Sequence, residues 1–496
     1  MDTIQLGTMA EALDKVLPLP AHAAIEIRGL AYDSRQVKPG FLFLALPGQQ
    51  RDGAEYIDDA LQRGAVAVVG ENALALRHVP YIQVSNARDA MARIAKLFFR
   101  NPSAGLNTFG ITGTNGKTTT AFMLRNLLEA GSQSTGLIST IRYEIGERSI
   151  PANRTTPESP DLNAMLQKMD RAGCDSVVME VSSHALDQHR VDGLDFDVAI
   201  FTNLTRDHLD YHESMEAYFA AKQKLFLQLG TGAKRGAAII NRDDPYGRRL
   251  HERLQAQRPD VPCWTYGLDP AADIYADEVV YDEQGTTCTV HSPWGSGPLR
   301  INMLGRFNVL NALAALAAAA IQGETMPDLL QRFASLTAVP GRLERCSPVN
   351  HPFRVFVDYA HTDDALAQVL HALRPTTAGR LITVFGCGGD RDTSKRAAMG
   401  ALARDGADYA VITSDNPRSE DPNAIATAIA AGHGEASRYE IVLDRASAIA
   451  HACALAEPGD TVVIAGKGHE TYQEIGQTII PFSDSEVARR LLEPGV

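Results

Sequence analysis

The sequence predicts an α/β protein of three domains. These are a small N-terminal α/β unit, a central unit of phosphate-loop ATPase type with a mainly parallel sheet, and a C-terminal, Rossmann-like, doubly wound unit. Three observations carry the fold. Apolar runs of strand length, such as DSVVMEV (175–181) and DVAIFTNL (197–204), are continuous rather than alternating, as in parallel strands buried on both faces. Each run ends in a polar segment, and helical stretches separate the runs, which is the βα rhythm of a wound sheet. At ~100–200 residues per domain, 496 residues divide into three.

Residues 1 to about 103 alternate short β-like runs with turns. FLFLAL (41–46) is followed by PGQQRDG, and AVAVVG (65–70) by a short helical stretch. The turn-rich NPSAG (101–105) marks the first boundary. TFGIT then reads as a strand, GTNGKTT (113–119) as the loop after it, and TTAFMLRNLLEAG as a helix with apolar residues at 123, 124, 127 and 128 and a stop at Gly131. The run ALAALAAAAI (312–321) is short of the roughly 18 apolar residues of a membrane span and reads as a buried helix. From about 339, FRVFVDYAH, RLITVFGCGG, YAVITSDNPR and DTVVIAGKGHE are again strands that end in polar loops. The expected domains are 1–103, 104–338 and 339–496.

Hydrophobic residues make up 45% and charged residues 22%, values of a soluble globular protein. The net charge of −13, from 47 basic and 60 acidic residues, argues against a nucleic-acid partner. It leaves room for anionic small molecules, which a Gly-rich loop can hold locally. The six cysteines, Cys174, Cys263, Cys288, Cys346, Cys387 and Cys453, include no C-x-x-C pair and read as reduced thiols. No signal peptide or membrane span is expected, and the expected location is the cytoplasm.

GTNGKTT is a phosphate-binding loop one residue shorter than the full pattern. Gly113 and Gly116 let backbone N–H groups face phosphates, Lys117 reaches the β- and γ-phosphates, and the Thr118 hydroxyl can hold Mg²⁺. The loop follows a strand and opens a helix, which is the confirming context. Glu180, at the end of VVME, can complete Mg²⁺ coordination as an acid does in other nucleotide enzymes; alone it could equally be a buried paired acid. His208, in TNLTRDHLDYH, is expected at the end of the next strand. Lys222, in YFAAKQKLF, faces Tyr218, Phe219, Leu225 and Phe226 on a helix, where lysine ordinarily snorkels to water. In SDNPRSEDP (414–422), Pro417 stiffens the loop and pushes Asn416 toward an extended conformation, so that Arg418 is presented for two-pronged recognition of a carboxylate.

These motifs, with TTP (155–157), MEVSSHALDQHR (179–190), AAK (220–222), GRFNVLNALAA (305–315), PGRLE (340–344), DYAHT (358–362), FGCGGDRD (385–392), DNPR and GKGHE (466–470), together resemble the Mur ligase family. The match runs nearly end to end in one order. The resemblance implies an ATP- and Mg²⁺-dependent amide ligase of cytoplasmic peptidoglycan precursor synthesis. Its expected small-molecule substrates are UDP-MurNAc-L-Ala-D-Glu, meso-diaminopimelate and ATP, and transient contacts with other Mur enzymes are expected. Tyr32, Ser34 and Gln49–Gln50–Arg51 fall where the family binds the UDP-sugar. Thr155, Thr156, Ser182, Gln188 and Arg190 fall where it holds the peptide. Besides Gly113, Thr114, Asn115, Gly116, Lys117, Thr118 and Thr119, the ATP site would include Asn308 at adenine, Asp358 at ribose, and Arg342 and His361 near the phosphates.

In the family, a lysine matching Lys222 carries a CO₂-derived carbamate, which turns a cation into a metal ligand beside Glu180 and His208. Arg391, Asp415, Asn416, Pro417, Arg418, Gly466 and Glu470 match the diaminopimelate positions. The resemblance implies that ATP phosphorylates the peptide carboxylate and that the amine attacks the acyl phosphate. Such a reaction needs positioning and charge neutralisation more than a protein nucleophile. The competing readings are a lysine-adding ligase, a folylpolyglutamate synthase-like ligase and a non-catalytic nucleotide-binding protein. Two positions depart from the pattern: Asp363 stands where the family usually has proline, and Arg154 precedes Thr155 where others vary.

Overall fold

The computed structural model of the chain describes residues 3–15, 17, 20–48, 51–74, 76, 79–336 and 338–493. Near the N-terminus, Gly29–Ala31, Phe41–Ala45, Ala65–Gly70 and Tyr81–Gln83 form a four-stranded parallel sheet. Successive strand residues point to opposite faces. Leu42, Leu44 and Val69 therefore pack with Met91, Ile94 and Phe98 of the helix Ala87–Phe98, while Phe43 and Val68 pack with Ile57 and Ala60 on the other side. Asn86 caps that helix, its Oδ1 accepting from the backbone N–H of Arg88 and of Asp89.

The central sheet has eleven strands, seven of them in a continuous parallel block. Asn107–Thr112 lies inside this block, between Ser176–Glu180 and Val198–Phe201. The next strand in the chain, Thr135–Ile138, lies to one side of it, and Val198–Phe201 lies on the other. The winding therefore reverses beside Asn107–Thr112 and opens a crevice at its carboxyl end. Antiparallel strands extend both edges of the block. On one face, the helices Lys117–Ala130 and Arg306–Ile321 pack against each other and the sheet. The second contains the ALAALAAAAI run, buried through Ala320, because small side chains allow close approach on every side.

The third sheet has six strands. Arg354–Asp358, Leu381–Phe385, Tyr409–Ile412, Tyr439–Ile441 and Thr461–Ala465 are parallel, and Glu344–Arg345 runs antiparallel at the edge. Hydrophobic cores cover both faces. A separate hairpin, Tyr472–Ile475 with Thr478–Pro481, follows the last parallel strand. No helix among the described residues is long and apolar enough to cross a membrane.

One buried ion pair fastens the carboxyl ends of this sheet. Arg445 and Asp484 are both fully buried, joined by two bonds of 2.7 Å. Arg445 also donates to the carbonyls of Ser414 (3.2 Å) and Ala465 (3.0 Å), just where two loops leave the sheet. Removing one partner leaves a buried, uncompensated charge. Arg445→Ala is expected to lower the unfolding free energy of the C-terminal unit by about 3–5 kcal/mol, read as a lower urea midpoint for that transition; an unchanged midpoint would refute the anchoring role.

Candidate active site

A cavity of about 260 Å³ lies between the central and C-terminal sheets. Carboxyl ends of strands from both sheets face it. Asn115, Gly116, Thr119, Arg342, Asp358 and His361, all expected at the nucleotide, line it. Asn308 does not. It is buried, donating to the Leu304 carbonyl (2.8 Å) and accepting from Asn311 (3.2 Å), and it is Asn311 that faces the cavity. Both asparagines stand in GRFNVLNALAA, and their i, i+3 spacing on a helix was the available signal. Asp358 accepts from the backbone N–H of Leu343 (2.7 Å) and Ala360 (2.8 Å), and burial raises its pKa above the ordinary carboxylate value.

The phosphate loop is held from the neighbouring strand end. The Asn115 N–H donates to Asn203 Oδ1 (2.9 Å), and Thr202 Oγ1 donates to the Asn115 carbonyl (2.6 Å). Gly116 has φ of +87°, and a Cβ there would lie 2.4 Å from Asn311 Oδ1, so only glycine fits. Lys117 opens the helix and its Nζ donates to the carbonyls of Gly113 (2.9 Å) and Thr114 (2.8 Å).

Lys222 reaches the same Gly113 carbonyl from another helix, at 2.8 Å. It does not snorkel: the residue is 1% exposed and its Nζ lies 4.5 Å from the centre of the Tyr218 ring. Burial first, and the nearby Lys117 charge second, drive its pKa well below a lysine's ordinary value. Burial also lowers that of Lys117, against the pull of Glu180 and Asp207.

Glu180 is fully buried beside these lysines' loop. Its Oε2 accepts from Thr118 Oγ1 (3.0 Å) and Thr140 Oγ1 (3.2 Å), and its Oε1 from the Thr140 N–H (2.8 Å). The strand expected to end at His208 ends at Phe201, and His208 instead caps the short helix Leu209–His212 with φ of +53°. Intervening polar residues end the sheet before it. Burial lowers the His208 pKa to about 4 despite Asp207, with further lowering from His184, Lys117 and Lys222. The ring is thus neutral near pH 7. The Thr118 hydroxyl and the Glu180 carboxylate, 3.0 Å apart, are oxygen donors of the kind Mg²⁺ takes, and they fit it once Lys222 carries no positive charge. Thr140 and Asp207 escaped sequence reasoning, although Asp207 stands beside His208.

The expected peptide residues form one network. Thr156 Oγ1 donates to the Glu180 carbonyl (2.8 Å) and accepts from the Ser182 N–H (3.1 Å). Arg190 donates to the Thr156 carbonyl (2.9 Å) and to Gln188 Oε1 (2.7 Å). Thr155 and Thr140 hydroxyls meet at 3.0 Å. Ser182 Oγ is engaged in capping, accepting from the Ala185 N–H. Arg154, of uncertain role in the sequence, pairs with Glu158, which Arg190 and Arg88 also approach. Tyr32 donates to Asp161 at 2.5 Å and joins the N-terminal sheet's loops to this network. Ser34 is buried, and Arg51 donates to the Tyr56 hydroxyl. Gln49 and Gln50 lie outside the described residues.

The expected diaminopimelate residues converge at the carboxyl ends of the third sheet. Asn416 donates to Glu470 (3.0 Å) and accepts from Lys467 (3.0 Å), and Lys467 pairs with Glu470 at 2.7 Å. Asp415 is buried against Gly466. The Pro417 carbonyl abuts Gly389, and Arg391 is exposed two residues further on. Arg418, expected to be presented to a carboxylate, is already engaged within the protein. Its Nε donates to Glu474 Oε2 (2.9 Å) and its Nη1 to the Gly389 carbonyl (2.7 Å).

Residues 26–99 match the catalytic domain of the Mur ligase family, residues 111–319 the Mur ligase middle domain, and residues 341–468 the Mur ligase glutamate ligase domain. The chain is 45% identical to the UDP-N-acetylmuramoyl-L-alanyl-D-glutamate–2,6-diaminopimelate ligase of Solibacter usitatus, over 99% of this chain and 98% of that one. It is 46% identical to the ligase of the same name from Synechococcus elongatus, over 95% and 96%. A solved structure of a ligase with that name superposes with a TM-score of 0.72 at 33% identity, covering 99% of both chains. Matched by three Mur ligase domain models along most of its length, and by relatives at 45% and 46% identity over nearly all of it, the chain belongs to the Mur ligase family.

Proposed function

We propose that the chain is an ATP-dependent ligase that joins meso-2,6-diaminopimelate to the D-Glu of UDP-MurNAc-L-Ala-D-Glu. The observation that carries the choice of amine is Arg418, a cation fixed at the loop crevice of the third sheet whose Nη2 has no protein acceptor among the described residues. Diaminopimelate has a distal carboxylate to meet it, and lysine has only an ammonium, which it repels. The names of the related ligases support the same substrate.

The site residues act in concert. Backbone N–H groups of the 113–119 loop and Lys117 hold the ATP phosphates, and Arg342, 3.0 Å from Thr118 Oγ1, adds charge from the third sheet's side. Bound Mg²⁺ would neutralise the phosphates, with Thr118, Glu180, His208 and modified Lys222 as its protein ligands. Arg190, Thr156 and Ser182 orient the D-Glu so that its side-chain carboxylate attacks the γ-phosphorus and ADP leaves. Asp415, Asn416, Gly466 and Glu470 present the diaminopimelate amine, Arg391 flanks them, and the amine displaces phosphate from the acyl phosphate as the amide forms.

Lys222 becomes a ligand through CO₂. Only a neutral amine attacks CO₂, and burial beside Lys117 keeps this amine neutral at lower pH than an exposed lysine. The carbamate is anionic, so its formation sets a negative charge beside the Lys117 ammonium. ¹³C-bicarbonate is expected to give a protein-bound carbamate NMR signal that Lys222→Ala lacks; the same signal in the variant refutes the assignment. Lys222→Ala should also lose at least ~100-fold in turnover, on the scale of lost metal-site ligands, while ATP still binds by calorimetry.

The apo protein gives a separate check. A lowered folded-state pKa means that the stability from this group is full above about 10.5 and is lost as pH falls through the folded value. Lys222→Met removes that penalty. In metal-free, CO₂-free buffer it should melt above the parent at pH 7, with the gap closing toward pH 10.5.

The amine itself is decided by phosphate release with diaminopimelate and with lysine. Preference for diaminopimelate by at least ~100-fold in kcat/KM is expected, the scale of a lost charged contact; preference for lysine would assign the chain to lysine addition.

A further inference from the structure

Arg418 is gripped by the hairpin that follows the GKGHE loop. The Arg418 N–H donates to the Glu474 carbonyl (3.2 Å), and the Gly476 N–H donates to the Arg418 carbonyl (2.7 Å), so that Arg418 pairs with Ile475 as an isolated parallel bridge. The Glu474 N–H donates to Asn416 Oδ1 (3.0 Å), and the Glu474 carboxylate holds Arg418 Nε at 2.9 Å. Arg418 itself has φ of +52°, a left-handed backbone that non-glycine residues avoid. These ties keep it there. A guanidinium has five N–H donors in a rigid fork. With Nε on Glu474 and Nη1 on the Gly389 carbonyl, the Nη2 hydrogens are left without a protein acceptor among the described residues. The pair is accessible, the two side chains 22% and 34% exposed.

We propose that Glu474 is a positioning residue for amine selection, holding the Arg418 fork so that its Nη2 edge meets the distal carboxylate of the incoming amino acid. The inference rests on the diaminopimelate reading. Two simpler roles would behave differently. If only charge mattered, removing Glu474 would leave Arg418 more positive and strengthen carboxylate binding. If Glu474 merely braced the hairpin, all substrates would suffer alike. Positioning predicts neither outcome. A freed guanidinium swings on a flexible stem and must be ordered again on binding. Lysine offers no distal carboxylate, so its weak use should not change.

The test is steady-state kinetics on the full chain with each substrate varied. Glu474→Ala is expected to raise the KM for diaminopimelate about tenfold, the scale of a lost pre-organised contact. The KM values for ATP and the UDP-dipeptide, and turnover with lysine, should stay within about twofold. Glu474→Gln, which keeps an oxygen acceptor for Nε, should recover most of the loss. In an Arg418→Ala background, Glu474→Ala should add less than about twofold, because no fork remains to hold. Should the alanine variant not fold, Glu474→Thr, which favours a strand, carries the same comparison. A diaminopimelate KM that is unchanged or lowered, equal rises for all substrates, or additive losses with Arg418→Ala would each overturn the proposal. If the unmodified enzyme prefers lysine, the diaminopimelate reading fails first; if it prefers diaminopimelate and the variants do not respond, only the role of Glu474 fails.

Discussion

Two lysine side chains donate to one carbonyl oxygen, that of Gly113, and the rest of the site is arranged around the charge this concentrates. Neither arrives by accident of a flexible surface. Lys117 is fixed by the helix it begins, and Lys222 by a helix whose other residues bury it under Tyr218. In a dry environment such a pair is tolerable only if one member is neutral or if anions are close. The depressed basicity of Lys222 opens the first remedy, and the phosphate loop brings the second near to hand through ATP. Glu180 lies within the same network but is occupied by two threonine hydroxyls. The positive excess is therefore a standing demand for ligand, built into the resting protein.

Contacts between the central and C-terminal sheets around the cavity include several thin polar ones. Arg342 reaches Thr118, Asn115 reaches Asp364 at 3.1 Å, and Arg206 pairs with Asp363 at 3.3 Å. The last pair uses the aspartate that stands where the family usually has proline, and an exposed pair of this kind contributes roughly 0–1 kcal/mol. Such contacts form and break easily. They suit a ligase whose two sheets move relative to each other about the cavity, as the proposed division of nucleotide and amine between them requires.

Much of this was legible in the sequence because it depends on local order. Strand-length apolar runs ending in polar segments locate the loops, and GTNGKTT between a strand and a helix locates the phosphates. The all-apolar helix near residue 312 is visible from composition alone. What escaped depends on partners far along the chain. Nothing near Arg418 announces Glu474, 56 residues later. Nothing near Glu180 announces Thr140. The periodicity that puts Lys222 among aromatic residues is correct, but it cannot say whether the ammonium turns outward or inward. That choice is made by the Gly113 carbonyl of another segment. Asn308 and Asn311 are both visible, yet only packing decides which faces the cavity.

The glycines behind the amine loops constrain how such a pocket can change over evolutionary time. A Cβ at Gly389 would come within 2.0 Å of the Pro417 carbonyl, and one at Gly466 within 2.6 Å of Asp415 Oδ2. The first contact is with backbone, which cannot swing aside. A side chain at Gly389 therefore requires the loop backbones to move apart. Variation is left to the side chains at the tip, Arg418 and its hairpin partner. On the diaminopimelate reading proposed above, a change of amine would fall to that pair, rewriting the reader of the substrate while leaving its frame untouched.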